Sequence, residues 1–535
     1  MKAVFFHNEA RERLRKGIDL ICDSIKVTLG PRGRNVIYNF HYGYAIATKD
    51  GVTVARQVDA NDPIEQLGLL LIRQAAQKTA DDVGDGTTTV TLLAQQIYHE
   101  GLKAMSGGAN PILIKRGIDK AVQEVLTYID TVIKIDIRGE EDIVNVASLS
   151  ANNDKDIGVL ISNAIKQVGE DGVITIDDNH QNSETYIETM EGMQIHEGLQ
   201  SMFFSTDRIR LEAIHQNPYI IIIDDDIYSL NQIAKIVDEA IKTGHPVCLM
   251  ANNFHDSVLK ALIQSTIQNS LPLMVVKSPY FGNIRTEQLI DIAILTGGTV
   301  IGNASGLRME DASLKDLGQC ERIKSNRYQT TFIKGNGFPD IIQGRIQSIR
   351  EQIIKSESDY DKQKLQERLA KLTTGVAVIK VGAPTEIEQK EKKMRVEDAL
   401  LATKAAIQGG VVPGGGFTFY RAIESIVEKG EEEELIGRRI LKRILRAPVY
   451  QIAANSGMDG AEIVAKLTDN IQHGYDFLSN SYVDLLDRGI IDPAQVVKTA
   501  LINAASVAGM LLTAEVACAE NTEPESTMTP KPRSM

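Results

Sequence analysis

The chain has 535 residues, 43% of them hydrophobic and 24% charged, with a formal net charge of −13 at pH 7. That length exceeds what one hydrophobic core supports, so two to four domains are expected. The acidic balance excludes general nucleic-acid binding, which needs cations to neutralise phosphates, and the four cysteines, Cys22, Cys248, Cys320 and Cys518, lie too far apart for a metal framework.

Those cysteines read as reduced core residues, with Cys518 nearest the surface. Met1 to Phe6 is too short an apolar run for a signal peptide before Glu9, Arg11 and Arg13 interrupt it. No membrane-spanning stretch is expected further on, and the compartment read from this is the cytoplasm.

In chain order, Asn8 to about Val132 is mostly helical: Leu14, Ile18, Ile21, Ile25 and Leu29 recur at helix spacing until Gly30-Pro31 stops the run. Short helices and the strand Gly172 to Ile176 follow, turned by Asp177-Asp178-Asn179. From Pro218 the texture alternates. Tyr219–Ile223, Pro246–Ala251, Pro272–Val276 and Gly298–Ile301 read as strands, with helices at Leu230–Ile241, Val258–Ile267 and Thr286–Leu295 between them. That repeat predicts a parallel sheet with crossover helices. Ile346–Ile354 and Tyr360–Leu372 then predict an antiparallel helical hairpin, Gly375–Val381 a strand, and Lys390–Gln408 a helix. The remainder, with the Ala-, Val- and Leu-rich Val496–Thr513, is again helical, while the segment after Asn521 cannot bury a core. The chain thus reads as helical at both ends with an α/β insert.

One stretch carries chemistry. Gly84-Asp85-Gly86-Thr87-Thr88-Thr89 combines glycines that admit backbone N–H groups to an anion, a carboxylate for a hard cation, and three hydroxyls. A nucleotide is the first ligand to consider. No G-x-x-x-x-G-K-[ST] occurs, which excludes a P-loop. Asp50 in Thr48-Lys49-Asp50-Gly51 and Asp398 in Arg395–Ala399 supply two more acids of the kind phosphoryl transfer needs, to hold a metal and orient a water. Taken singly, the first is a common turn and the second a solvated helix face. Asp224-Asp225-Asp226 reads as a solvated loop, and the nine histidines form no catalytic arrangement.

Thr28-Leu29-Gly30-Pro31-Arg32-Gly33-Arg34-Asn35, Gly84–Thr89, Arg395–Ala399 and Val411–Gly416 together resemble the group I chaperonins, the GroEL family, over about residues 8 to 520. The resemblance implies an α+β multidomain chaperonin fold. A helical equatorial domain would come from residues 1–132 and 408–520, a small α/β intermediate domain from 133–189 and 376–407, and an apical polypeptide-binding domain from 190–375, before a disordered tail, 521–535. It implies an ATP-dependent chaperone forming a seven-membered ring, single or double, that works with a GroES-type co-chaperonin on non-native polypeptides, with no nucleic acid or membrane partner.

Carried over by position, the cofactors are ATP, Mg²⁺ and K⁺. Thr28, Leu29, Gly30 and Pro31 line the nucleotide, Thr28 and the Lys49 backbone stand near K⁺, Asp85 holds Mg²⁺, and Gly86, Thr87, Thr88 and Thr89 hold phosphates. Asp398 positions the attacking water with Asp50 assisting, while Gly415, Asp476, Phe477, Leu478, Ile490 and Asp492 meet the nucleoside. The polypeptide strip falls on Leu199, Phe203, Phe204, Ala234, Val237, Leu259, Ile263 and Gln264.

Departures accompany the likeness. Asp476-Phe477-Leu478 stands where the family usually has Asn-Ala-Ala, Leu199 replaces Tyr, Ala234 Leu and Gln264 Val. Glu197 replaces an Arg that pairs with the acid at Glu386 of a neighbour, and Tyr450 an Arg used between rings opposite Asp459. A second reading therefore stays open: a paralogue with reduced or lost ATP cycling that acts as a binding or assembly protein.

Overall fold

The computed structural model describes residues 2–40, 44–169, 172–179, 183–190, 192–207, 210–269, 271–303, 305–356, 358–373 and 375–520. The expected disordered tail lies outside them. The chain divides into two compact units, one built from Met1–Ser162 with Lys390–Met535, the other from Asn163–Gln389.

The first unit is a helical bundle. Its opening helix, His7–Lys26, buries Ala10, Leu14, Ile18, Ile21, Cys22 and Ile25, a single stripe at the spacing the sequence predicts. That stripe meets the helix Pro63–Val83. The crossing is tight because a Cβ on Gly17 would fall 1.7 Å from the Glu65 carbonyl oxygen, and one on Gly68 2.4 Å from that of Leu14. Helices Thr87–Ser106, Pro111–Tyr128, Glu432–Ile444 and Ala447–Asn455 complete the bundle around Ala494–Leu512. By length and apolarity this last helix would cross a membrane, contrary to the expectation of no such stretch. Val497, Ala500, Leu501, Ala504, Ala508 and Leu511 lie in the core instead, where burial of each larger side chain stabilises by about 1.5–3 kcal/mol.

Short strand pairs also occur in this unit, built from the two chain ends expected to be helical. Val36–Phe40 and Tyr44–Thr48 form an antiparallel hairpin, and Lys2–Phe6 pairs with Val516–Glu520 from the far end of the chain. Helix periodicity conveys nothing about strands completed by a partner about five hundred residues away. Cys518, on the latter strand, is exposed as expected, and the other three cysteines are buried.

The second unit contains the parallel sheet. Leu273–Lys277, Val247–Ala251, Tyr219–Asp224 and Val300–Gly302 lie side by side in that order, all parallel. Gly318–Ser325 pairs antiparallel with Tyr219–Asp224 and extends the sheet to Thr330–Gly335 and Gly192–Ile195. The antiparallel strands escaped the sequence reading. The hairpin Pro339–Lys355 and Asp359–Thr373 is as expected. It is fastened to the helix Gly282–Thr296 by Arg345 and Arg368, whose Nε atoms each reach Asp291 at 2.7 Å. A second sheet orders Val173–Asp178, Val376–Val381 and Tyr186–Met190. Asp177 and Asp178, expected in a turn, belong to its first strand.

Asp224 also departs from expectation. It is 6% exposed and accepts from Asn252 Nδ2 at 3.1 Å and Thr286 Oγ1 at 3.0 Å, so it ties strand ends to a helix and is no part of a solvated loop.

Candidate nucleotide site

The helix Pro63–Val83 stops at Gly84, whose φ of +75° is left-handed and whose N–H returns to the Ala80 carbonyl at 2.8 Å. A Cβ here would lie 2.3 Å from Leu401 Cβ and 2.8 Å from the Asp398 carbonyl oxygen. Glycine therefore lets this turn press against the helix Glu386–Gly409 at Asp398. Gly86, φ +89°, then starts the helix Thr87–Ser106 without a side-chain cap. The N–H groups of Thr87, Thr88 and Thr89 have no partner within the helix, and with the helix dipole they form a receptor for an anion.

A second turn abuts the first. Asp50 caps the helix Gly51–Gln57 by accepting from Val52 N at 3.0 Å and Thr53 N at 2.8 Å. A Cβ on Gly51 would stand 2.6 Å from Thr88 Oγ1, which places the Asp50 turn directly on the cradle. Asp85 is exposed to solvent yet ringed by protein, as a side chain lining a cleft is. That surrounding protein raises its pKa, with the Asp50 charge adding to the rise and the Gly86 N–H and Ser150 hydroxyl opposing it. Asp492 is raised further, to about 7, first by burial and then by the charge of Asp85. The charge of Asp50 thus opposes ionisation of Asp85, and that of Asp85 opposes ionisation of Asp492, so a cation at Asp85 would relieve the repulsion.

Among the described residues no group of three or more His, Cys, Asp or Glu closes on a metal. A cation at Asp85 would have to draw its other ligands from phosphate oxygens and water, which is how Mg²⁺ is commonly held beside nucleotides. The residues present fit that arrangement. Ser150, at the end of the helix Glu140–Ser150, was not anticipated, and nothing in Leu149-Ser150-Ala151 marks it.

The turns expected at the nucleoside converge on the same unit. Asn455 Nδ2 holds the carbonyls of Lys26 and Leu29 at 2.9 Å each, fixing the turn in which Gly30 has φ +85°. Thr28 is buried, its hydroxyl donating to the Ile25 carbonyl at 2.8 Å. Val411–Pro413 pairs with Ile491–Pro493 so that Val412 faces Asp492, and Gly414 N donates to the Ile490 carbonyl at 2.9 Å. Gly415, Ile490 and Asp492 are therefore neighbours. Asp476 and Phe477 are turned into protein, 5% and 3% exposed, while Leu478 remains 58% exposed.

The eight residues of the expected polypeptide strip are dispersed by burial. Leu199, Phe204 and Val237 belong to the core of the second unit. Phe203, 64% exposed, sits in the turn Met202–Phe204, which packs on the helix Asp256–Asn269 carrying the half-buried Leu259 and Ile263 and the exposed Gln264. Ala234 and Val237 are on the helix Asn231–Lys242, which packs on the strand Val247–Ala251. Sequence spacing identifies apolar positions without telling which lie over the sheet.

Two comparisons bear on this arrangement. The family model for the TCP-1/cpn60 chaperonins matches residues 21–521. A crystal structure of the chaperonin gp146 from bacteriophage EL 2 (Pseudomonas aeruginosa), obtained in the presence of ATP-BeFx, superposes with a TM-score of 0.68 at 21% identity, covering 96% of this chain and 98% of that one.

Proposed function

The chain belongs to the TCP-1/cpn60 chaperonin family, and from that premise we propose an ATP-driven molecular chaperone whose hydrolytic site is the cleft at Gly84–Thr89. The observation that carries the proposal is the uncapped N-terminus of the helix Thr87–Ser106, with Asp85 at its mouth and the Asp398 backbone against Gly84. Phosphates would be received by the first-turn N–H groups and hydroxyls of Thr87, Thr88 and Thr89. Bound Mg²⁺ supplies charge neutralisation at the transferring phosphoryl group. Asp85 holds that cation, the Ser150 hydroxyl orients Asp85, and Asp398 positions the attacking water with Asp50 in support. The K⁺ position goes to Thr28 and the Lys49 backbone.

The polypeptide face is reduced to Phe203, Leu259, Ile263, Ala234 and Gln264, the members of the strip that burial leaves accessible. Leu199, Phe204 and Val237 support it from beneath. Ring assembly and a GroES-type partner complete the proposal on the strength of family membership. The test is turnover: with Mg²⁺ and K⁺ the purified protein hydrolyses ATP, and Asp398→Ala slows hydrolysis by about 10²–10⁴-fold while ATP affinity is retained. A wild-type rate no higher than that of the variant refutes the hydrolytic role.

A further inference from the structure

The parallel strands of the second unit end in a row of polar side chains. Ile222 lies opposite Met250 and Ala251 opposite Lys277, so Asp224, Asn252 and Ser278 come level at the carboxyl edge of the sheet. Gly302 ends the fourth strand opposite Asp224. The chain runs from Tyr219–Asp224 outward through Val247–Ala251 to Leu273–Lys277, then returns to the other side of the first strand with Val300–Gly302, so the direction of winding reverses at Asp224. In open α/β sheets, ligands bind outside the carboxyl ends of the strands at such a reversal.

The helix Gly282–Thr296 begins at this edge. Its Thr286 Oγ1 donates to Asp224 Oδ2 at 3.0 Å, and Arg285 Nε stands 3.7 Å from Asp224 Oδ1. Asn252 Nδ2 donates to that same Oδ1 at 3.1 Å, and Ser278 N donates to the Ala251 carbonyl at 2.9 Å, which holds Ser278 next to Asn252. Buried polar atoms in folded proteins are ordinarily paired. Here Arg285 Nε, Asn252 Oδ1 and Ser278 Oγ are buried without a hydrogen-bond partner among the described residues, in side chains of which Asn252 is 8% and Ser278 2% exposed. The helix N-terminus has no side-chain cap, and a Cβ on Gly282, φ +58°, would meet nothing within 4 Å.

Both Asp224 oxygens are taken by Asn252 and Thr286, and 3.7 Å is too long for a hydrogen bond, so the Arg285 guanidinium keeps its donors. Those donors and the first-turn N–H groups of the helix suit an oxyanion. Asn252 Oδ1 can only accept, and so requires a donor on the same ligand. We propose that this edge binds a small oxyanion, phosphate or carboxylate, that carries a hydroxyl group. The anion meets Arg285 and the N-terminus of Gly282–Thr296, and the hydroxyl meets Asn252 and Ser278. All these residues belong to the unit Asn163–Gln389 and the nucleotide cleft to the other, so the proposal stands apart from the nucleotide reading.

The chain has no tryptophan, so Phe281→Trp, at a side chain 78% exposed and adjoining the helix N-terminus, makes a single local emitter. In this full-length variant, glycerol 3-phosphate or glycerate at millimolar concentration should change the emission saturably and raise the melting temperature, and neutral glycerol should do neither. The tighter of the two anions tells phosphate from carboxylate. Arg285→Gln should weaken that binding by about tenfold or more, and Ser278→Ala by roughly two- to tenfold. Ser278→Ala removes a hydroxyl that has no partner, so the free protein should lose no stability and folding is not at stake. No response to either anion in emission and melting temperature, an equal response to glycerol, or an affinity that Ser278→Ala leaves unchanged overturns the proposal.

Discussion

The turn Gly84–Thr89 was singled out by a short motif and the expected polypeptide face by position in the resemblance, and the structure shows two different kinds of surface there. At the cradle the chemistry belongs to backbone: glycines with φ of +75° and +89°, free N–H groups, and a carboxylate beside them. Residue identity dictates that geometry, because other side chains do not fit. At the face the chemistry belongs to side chains, and whether Phe203 or Phe204 points outward depends on how Met202–Phe204 sits on the sheet and its helices. Backbone geometry can be read from sequence more directly than the exposure of a side chain.

The adjacent phenylalanines offer the largest effect with which to break that contrast. Phe204 is 2% exposed within the core, so Phe204→Ala should cost about 3–5 kcal/mol in chemical denaturation. Phe203→Ala should change stability by no more than about 0.5 kcal/mol and instead weaken capture of a denatured client. Equal destabilisation by the two variants would show that Phe203 is core and that no face exists there.

Next in size is the cradle itself. Gly84→Ala meets Leu401 and the Asp398 backbone in addition to left-handed strain, for about 2–5 kcal/mol, and should displace Asp398 enough to depress ATP turnover. Gly108, φ +94°, has nothing within 4 Å of its missing Cβ, so Gly108→Ala should cost only the conformational strain, about 1–2 kcal/mol, and spare turnover. Matching losses of stability in the two variants would mean that close packing at Gly84 is unimportant.

Much of the architecture was legible because periodicity reports burial. The stripe Leu14, Ile18, Ile21 and Ile25 and the alternating strands and helices from Tyr219 onward fall where expected, with boundaries shifted by a few residues. What was missed involves partners distant in sequence or neighbours that no motif marks: Lys2–Phe6 completed by Val516–Glu520, and Ser150 brought to Asp85. Asp224 was misjudged for the same reason, since a run of acids looks solvated until Asn252 and Thr286 are placed beside it. At the site, Asp476 was expected to meet the nucleoside, and its engagement with Ser479 and Leu478 N depends on loop conformation alone.

The last expected effect probes the charge within the cleft, where contact of the half-buried Asp492 with solvent screens it. Asp492 has its folded pKa raised to about 7 from an ordinary 3.8, by burial and by Asp85. A carboxyl that binds its proton more tightly when folded favours folding fully below the unfolded value, and that contribution is lost as pH rises through the folded one. Without nucleotide or Mg²⁺, stability should therefore decline between about pH 4 and 7 through this group. Asp492→Asn, neutral at every pH, should match wild type near pH 4 and exceed it at pH 8 in urea denaturation. Adding Mg²⁺ should narrow the gap at pH 8 in the wild type, because a cation at Asp85 offsets the field that opposes ionisation of Asp492. If the two proteins instead show parallel pH profiles, the carboxylates do not act on one another, and the cleft's affinity for a cation must come from elsewhere than their mutual repulsion.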